Sequence, residues 1–125
     1  MTRAKSVTRR IVRLFAPQFA ELVASGAKTQ TVRPVPVRIP LPGDTISLRT
    51  WTDKPYRSKQ RVLREAKIFE VSSCTIFESA VYVNGKPEHR HEFAVADGFT
   101  DYGELVEWFK NVHGLPFNGI CIKWK

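Results

Sequence analysis

Residues 26–34 read Gly26-Ala27-Lys28-Thr29-Gln30-Thr31-Val32-Arg33-Pro34, and how they are parsed decides what kind of chain this is. Just upstream, Pro17 suits the first turn of a short helix that carries Phe19, Leu22 and Val23 on one side. Gly26 stops that helix, since glycine takes the left-handed conformation after a last turn without a Cβ penalty. Pro34 pushes Arg33 toward extended geometry. What lies between, residues 28–33, is a short strand. A lysine, two threonines and an arginine within it are more basic and hydroxyl chemistry than packing requires. A polar edge strand is the plain alternative.

Working outward, Arg10-Ile11-Val12-Arg13-Leu14-Phe15 reads as a strand before the helix. Residues 34–42 hold four prolines and predict a stiff loop without a regular ladder. Pro42-Gly43-Asp44 turns into the alternating strand Thr45–Thr50, with Ile46 and Leu48 inward. Residues 51–61 predict a wet, basic connection, and a long strand follows from Ala66 to Ser73. Asn84-Gly85 is the pair favoured by a two-residue hairpin turn. Two helices come next. One covers about residues 88–96 and ends in Asp97-Gly98. The other follows Thr100 as its cap, with Leu105, Trp108, Phe109 and Val112 as its apolar stripe. The last strand is about residues 118–124. The sum is a mixed α/β, mainly β chain: a small closed or nearly closed barrel with attached short helices.

The bounds agree. A chain of 125 residues, 42% hydrophobic, makes one core and one domain. Residues 1–9 read as a basic N-terminal arm and 10–125 as the folded unit. No apolar run approaches the roughly 20 residues of a membrane span, and the basic N-terminus lacks the apolar segment of a secretory signal. Cys74 and Cys121 make no disulfide framework and predict buried thiols in a reducing, cytoplasmic setting. No close Cys/His cluster points to zinc, and no metal or cofactor is expected.

Charge is the stronger global signal. Residues 1–64 carry fourteen Lys or Arg against Glu21, Asp44 and Asp53, whereas residues 65–125 carry six against nine acids. A split of this kind suggests a face built for a polyanion, RNA or DNA first, rather than for a membrane. Within the basic half, Arg49, Lys54, Arg57, Lys59, Arg61 and Arg64 alternate loosely with Trp51 and Tyr56. That mixture suits phosphates gripped beside a ring stacked on a base. The alternative is that Trp51 fills the barrel mouth and the charges stay wet.

Taken in order, Gly26-Ala27-Lys28-Thr29-Gln30-Thr31-Val32-Arg33, Pro42-Gly43-Asp44, Ala96-Asp97-Gly98-Phe99 and Leu115-Pro116-Phe117-Asn118-Gly119 resemble the ASCH family, a branch of the PUA-like barrel superfamily. The pieces and their connections cover about residues 11–124, and the pattern is similar to short members from bacteria and their phages. The resemblance implies a barrel with a cleft beside the first helix and second strand, and a link to RNA or nucleosides. One branch of the family removes the acetyl group of N4-acetylcytidine as an amidohydrolase. Its functional lysine, threonine and acid would correspond to Lys28, Thr31 and Asp97. There the acid is a glutamate, so this chain is one methylene shorter. Other members are linked to RNA cleavage or to RNA binding alone, which leaves a non-catalytic RNA-binding module and a ribonuclease as alternatives.

For amide hydrolysis, Thr31 needs a base, and Lys28 serves only if its pKa falls from about 10.4 toward about 7–8. Asp97 would protonate the leaving nitrogen or hold the amino edge of the base. Arg33, or backbone N–H groups, would face the oxyanion, unless Arg33 only neutralises a phosphate. Each residue has an ordinary alternative: a solvated strand-entry lysine, a surface β-forming threonine, an aspartate in a turn. His113 fits a helix C-terminus and is assigned no role in catalysis. One objection is geometric. In a regular strand Lys28 and Thr31 face opposite sides, so they converge only if the strand begins irregularly or the long lysine stem wraps over its edge.

Overall fold

In the computed structural model, which describes residues 9–125, the elements in chain order are β1 (Arg10–Leu14), α1 (Pro17–Ser25), β2 (Gln30–Arg33), β3 (Thr45–Trp51), β4 (Gln60–Ile76), β5 (Val81–Val83), β6 (Lys86–Pro87), α2 (Arg90–Ala96), α3 (Tyr102–Val112) and β7 (Phe117–Trp124). The chain is mixed α/β and mainly strand. Of the basic arm expected over residues 1–9, all but Arg9 lies outside the described residues. Arg9 itself belongs to the fold: its guanidinium donates to Asp44 Oδ2 at 2.9 Å, and its carbonyl accepts from the Thr45 N–H.

Long, bent β4 organises the sheet. Its first half pairs antiparallel with β3, which pairs parallel with β1. Its second half pairs antiparallel with β7, and its end also with β5. β7 carries β2 on its other side, and β5 turns into β6 through Asn84 and Gly85, both at positive φ as a tight hairpin requires. The sequence pattern placed the start of this strand near Ala66. Gln60–Glu65 lacks an alternating apolar face, and the backbone ladder from Trp51↔Gln60 onward extends it.

Among the described residues these ladders do not close into a ring, so the sheet is open where the pattern suggested a closed or nearly closed barrel. The opening lies between β1 and β2. There the Leu14 carbonyl accepts from Arg33 Nη2 at 2.8 Å, a side chain standing where a ladder partner would be.

The inward residues predicted for β3, Ile46 and Leu48, are fully buried, together with Ile68 and Ile76 of β4, Ile122 of β7, Val23 of α1, and Leu105 and Phe109 of α3. Each such side chain contributes about 1.5–3 kcal/mol by leaving water. β7 reaches β2 only because residue 119 is glycine: a Cβ there would lie 2.2 Å from the Arg33 carbonyl oxygen. α3 is capped by Asp101 rather than Thr100. Asp101 Oδ1 accepts the Glu104 N–H at 2.8 Å, and Glu104 reaches back to the Thr100 N–H at 2.8 Å. Cys74 and Cys121 are buried and free. Among the described residues no helix is long and apolar enough to cross a membrane.

Candidate active site

The gap between β1 and β2 is a cleft. Leu14, Phe15 and Ala16 form one wall, Thr31 to Pro34 another, and Lys28, Asp97, Phe99, Trp108 and His113 complete it. Local sequence explains the convergence. Gly26 ends α1 in the left-handed region, its N–H bonded to the Val23 carbonyl. The chain then continues outside any regular element, with Lys28 N–H on the Leu22 carbonyl and Thr29 N–H on the Ala96 carbonyl, both at 2.9 Å. The second of these bonds ties the neighbour of Lys28 to the neighbour of Asp97. β2 begins only at Gln30, so Lys28 lies before the strand and the alternation rule does not separate it from Thr31.

Asp97 is fixed by how α2 ends. Gly98, at φ 94°, donates to the Val95 carbonyl, and Phe99 N–H donates to the Ala94 carbonyl, the two bonds of a Schellman cap. The Ala96-Asp97-Gly98-Phe99 string is therefore a helix stop. It leaves a carboxylate at the electronegative end of a helix, where the backbone dipoles disfavour it. A Cβ on Gly98 would also lie 3.0 Å from Lys28 Cδ, so the glycine makes room for the lysine stem.

Lys28 and Asp97 are 3% and 2% exposed. The Lys28 ammonium donates to the Asp97 main-chain carbonyl, lies 3.4 Å from Oδ1, and sits 4.9 Å from the Phe19 ring centroid. That is an ion pair by distance. Among the described residues Asp97 Oδ1 has no hydrogen bond of normal geometry, and neither does the buried Gln30 Nε2. Burial pushes the Asp97 carboxyl up to about 6, against the opposing influence of Lys28, Gln30 and Arg33. Burial pushes the Lys28 amine down; Asp97 opposes this and Arg33 adds to it. Each partner is moved toward its neutral form. A buried pair of this kind is a weak source of stability, since apolar replacements are often neutral or better by about 1–4 kcal/mol. Its location in a cleft favours a chemical use.

Thr31 is buried, and its Oγ1 accepts from Arg33 Nε at 2.9 Å. The Arg33 guanidinium lies 4.8 Å from the Phe15 ring centroid, and burial, then the field of Arg13, lowers it to about 10. So a hydroxyl, a cation behind it and a buried lysine–aspartate pair face one cavity of about 210 Å³. Against the roughly 300–1,000 Å³ of pockets for drug-sized ligands, that suits one heterocycle.

No family model matches the chain, nor does any curated protein or any solved structure.

The other predicted site residues do not gather here. Arg49 is held by Ser47 Oγ at 2.9 Å and Gln60 Oε1 at 3.0 Å. Arg64 closes the end of α1, donating to the Val23 and Ala24 carbonyls. Trp51 and Tyr56 pair with ring centroids 5.1 Å apart. Lys54, Arg57, Lys59 and Arg61 are exposed along residues 52–61, outside the cleft. Sequence reasoning missed the aromatic walls. Trp108 belongs to the apolar stripe of α3 but is only half-buried and faces the cleft, as does His113, whose pKa is lowered by partial burial and Arg33. A stripe on a helix shows which face is covered, and a cleft lining reads the same as a core. Among the described residues no group of three or more His, Cys, Asp or Glu is arranged to hold a metal ion.

Proposed function

We propose that the cleft is the active site of an amidohydrolase that removes the acyl group from N4-acylated cytosine, as the nucleoside or within RNA, on an ASCH-type, PUA-like fold whose sheet is left open at the cleft. The observation that carries this reading is the convergence of Lys28, Thr31 and Asp97 on one heterocycle-sized cavity. The ordered motifs supply the family expectation.

The pair Lys28–Asp97 holds one shared proton. In its neutral tautomer the Lys28 amine takes the Thr31 proton as Oγ1 attacks the acyl carbonyl carbon. Arg33 Nε, already on Thr31 Oγ1, offsets the developing negative charge. The carbon–N4 bond breaks, N4 receives the Asp97 proton, and the exocyclic amine of cytosine leaves. Water then attacks the threonine ester. The products are a carboxylic acid and free Thr31, and the proton balance of the pair is restored. Phe15, Phe19, Phe99 and Trp108 make the low-dielectric walls in which these charges act strongly.

The test is hydrolysis of N4-acetylcytidine by pure protein, with the products resolved chromatographically, for wild type and Thr31→Val. Turnover by wild type that is lost in the near-isosteric variant supports the reading. Absent turnover by folded wild type moves the cleft to base binding without chemistry, and turnover retained in Thr31→Val removes the nucleophile.

A further inference from the structure

Leu14, Phe15 and Ala16 have two sides. One faces the cleft, and the other faces a second cavity of about 380 Å³ that also contains Trp51 and Tyr56. The Tyr56 ring is 87% exposed, and its backbone φ of 63° is one that residues with bulky side chains rarely adopt. The loop beneath is well bonded: Thr52 N–H to the Lys59 carbonyl at 2.8 Å, Asp53 N–H to Ser58 Oγ at 3.0 Å, and Ser58 Oγ–H to the Lys54 carbonyl at 2.9 Å. A strained residue on a firmly bonded loop thus holds an aromatic ring out toward water, against Trp51 at 5.1 Å between centroids and tilted 50° to it, and both rings line the open cavity.

The ridge between the two cavities is cationic. Arg33 bonds the Leu14 carbonyl and lies on the Phe15 ring. Among the described residues its guanidinium forms no ion pair with a carboxylate. A half-buried cation held by a hydroxyl and a carbonyl, with no carboxylate at ion-pair distance, favours an anion at the ridge. Cavity, cationic ridge and aromatic cavity follow the order base, phosphate, base.

We infer that the Trp51–Tyr56 cavity takes the base adjoining the one in the cleft, with their linking phosphate on Arg33, so that the substrate is an oligonucleotide. This rests on the reading of the cleft as a nucleobase site. Stacking suits the second position because every base offers a ring face, and specificity is left to the enclosed cleft.

Calorimetric titration tests it, with N4-acetylcytidine compared against dinucleotides in which that base is joined to adenosine on its 5′ or 3′ side, in ribose and deoxyribose forms. The expected result is a gain of about tenfold or more for one linkage, with the sugar form of larger gain naming the strand. Tyr56→Ala should bring the dinucleotide-to-nucleoside ratio to near one, and Tyr56→Phe should keep it. Equal affinity for nucleoside and dinucleotides, or a ratio unmoved by Tyr56→Ala, overturns the second site. The two readings fail separately. A nucleoside that is hydrolysed without any dinucleotide gain sinks only the second site. A Tyr56-dependent gain for plain cytidylyl-adenosine, with no hydrolysis of acetylated ligands, keeps the second site and sinks the amidohydrolase.

Discussion

Lys28 and Lys54 are the same residue put to opposite physical uses. Lys28 is 3% exposed, held against a carboxylate at 3.4 Å, and lowered in pKa by the burial that surrounds it. Lys54 stands in the exposed loop between β3 and β4. Desolvating an ion costs several kcal/mol even after relaxation, so a buried lysine persists only where something is done with it. A wet lysine costs almost nothing and acts at long range through a field that salt screens. The cleft and the basic loop are therefore to be separated by experiments that read stability and by experiments that read salt.

The largest effect is expected from breaking the pair. Lys28→Met leaves Asp97 buried and unpaired. It should cost about 3–5 kcal/mol in denaturant unfolding and lower kcat by about 10²–10⁴. Lys28→Met combined with Asp97→Leu should recover that stability, matching or exceeding wild type by about 1–4 kcal/mol, with activity still absent. A double variant as unstable as the single would show that the pair holds the fold together. Asp97→Glu comes next. It inserts a methylene beside a lysine stem already 3.0 Å from where a Cβ on residue 98 would lie. A loss of about 1–3 kcal/mol is expected, together with lower turnover. Unchanged activity would mean that the cleft also accepts the longer acid of the family resemblance.

These predictions depend on a geometry only partly legible beforehand. Gly26, Pro34 and Gly98 act on their own neighbours in the chain, and the stops they place on α1, β2 and α2 could be read directly. Ile46 and Leu48 were legible because an alternating strand shows its inward face. The start of β4 was not, since Gln60–Glu65 is paired through its backbone and has no apolar period to reveal it. The open sheet was hidden for a similar reason: nothing in β1 or β2 announces that Arg33 occupies the Leu14 carbonyl. Lys28 was legible as a candidate, but not its approach to Asp97, which depends on Thr29 N–H meeting the Ala96 carbonyl across 67 positions of chain. Arg49 and Arg64 were grouped with the loop on charge alone. Their partners, a serine and a glutamine for one and helix carbonyls for the other, are contacts that composition does not show.

The pH dependence sharpens the same contrast. Asp97 has a folded pKa of about 6, above its ordinary value, so its contribution to stability is fully present below about pH 4 and lost as pH rises through about 6. Lys28 is shifted the other way. Its contribution is present above its ordinary pKa of about 10.4 and lost as pH falls through the lowered value. The Asp97 contribution is therefore missing near neutrality. The advantage of the double variant over wild type should therefore be larger at pH 7 than at pH 4, as urea unfolding at the two values will show. Turnover should require the singly protonated pair, rising as pH passes about 6 and falling on an alkaline limb below the ordinary lysine range. Asp97→Asn should remove the acid limb from whatever rate remains.

The smallest effect belongs to the loop. Arg57 is exposed, and only its backbone N–H, on the Lys54 carbonyl at 3.1 Å, contributes to the turn. Arg57→Ala should leave stability within about 0.5 kcal/mol of wild type. If its guanidinium meets a phosphate, the same change should weaken single-stranded RNA binding across sequences and reduce the slope of log K against log salt by about one. Lys28→Met supplies the contrast: a buried cation releases no counterions from the strand, so the slope should stay as in wild type even where affinity falls. A slope changed by Lys28→Met and not by Arg57→Ala would reverse the assignment, placing the phosphate contacts in the cleft and leaving the loop charges to long-range attraction alone.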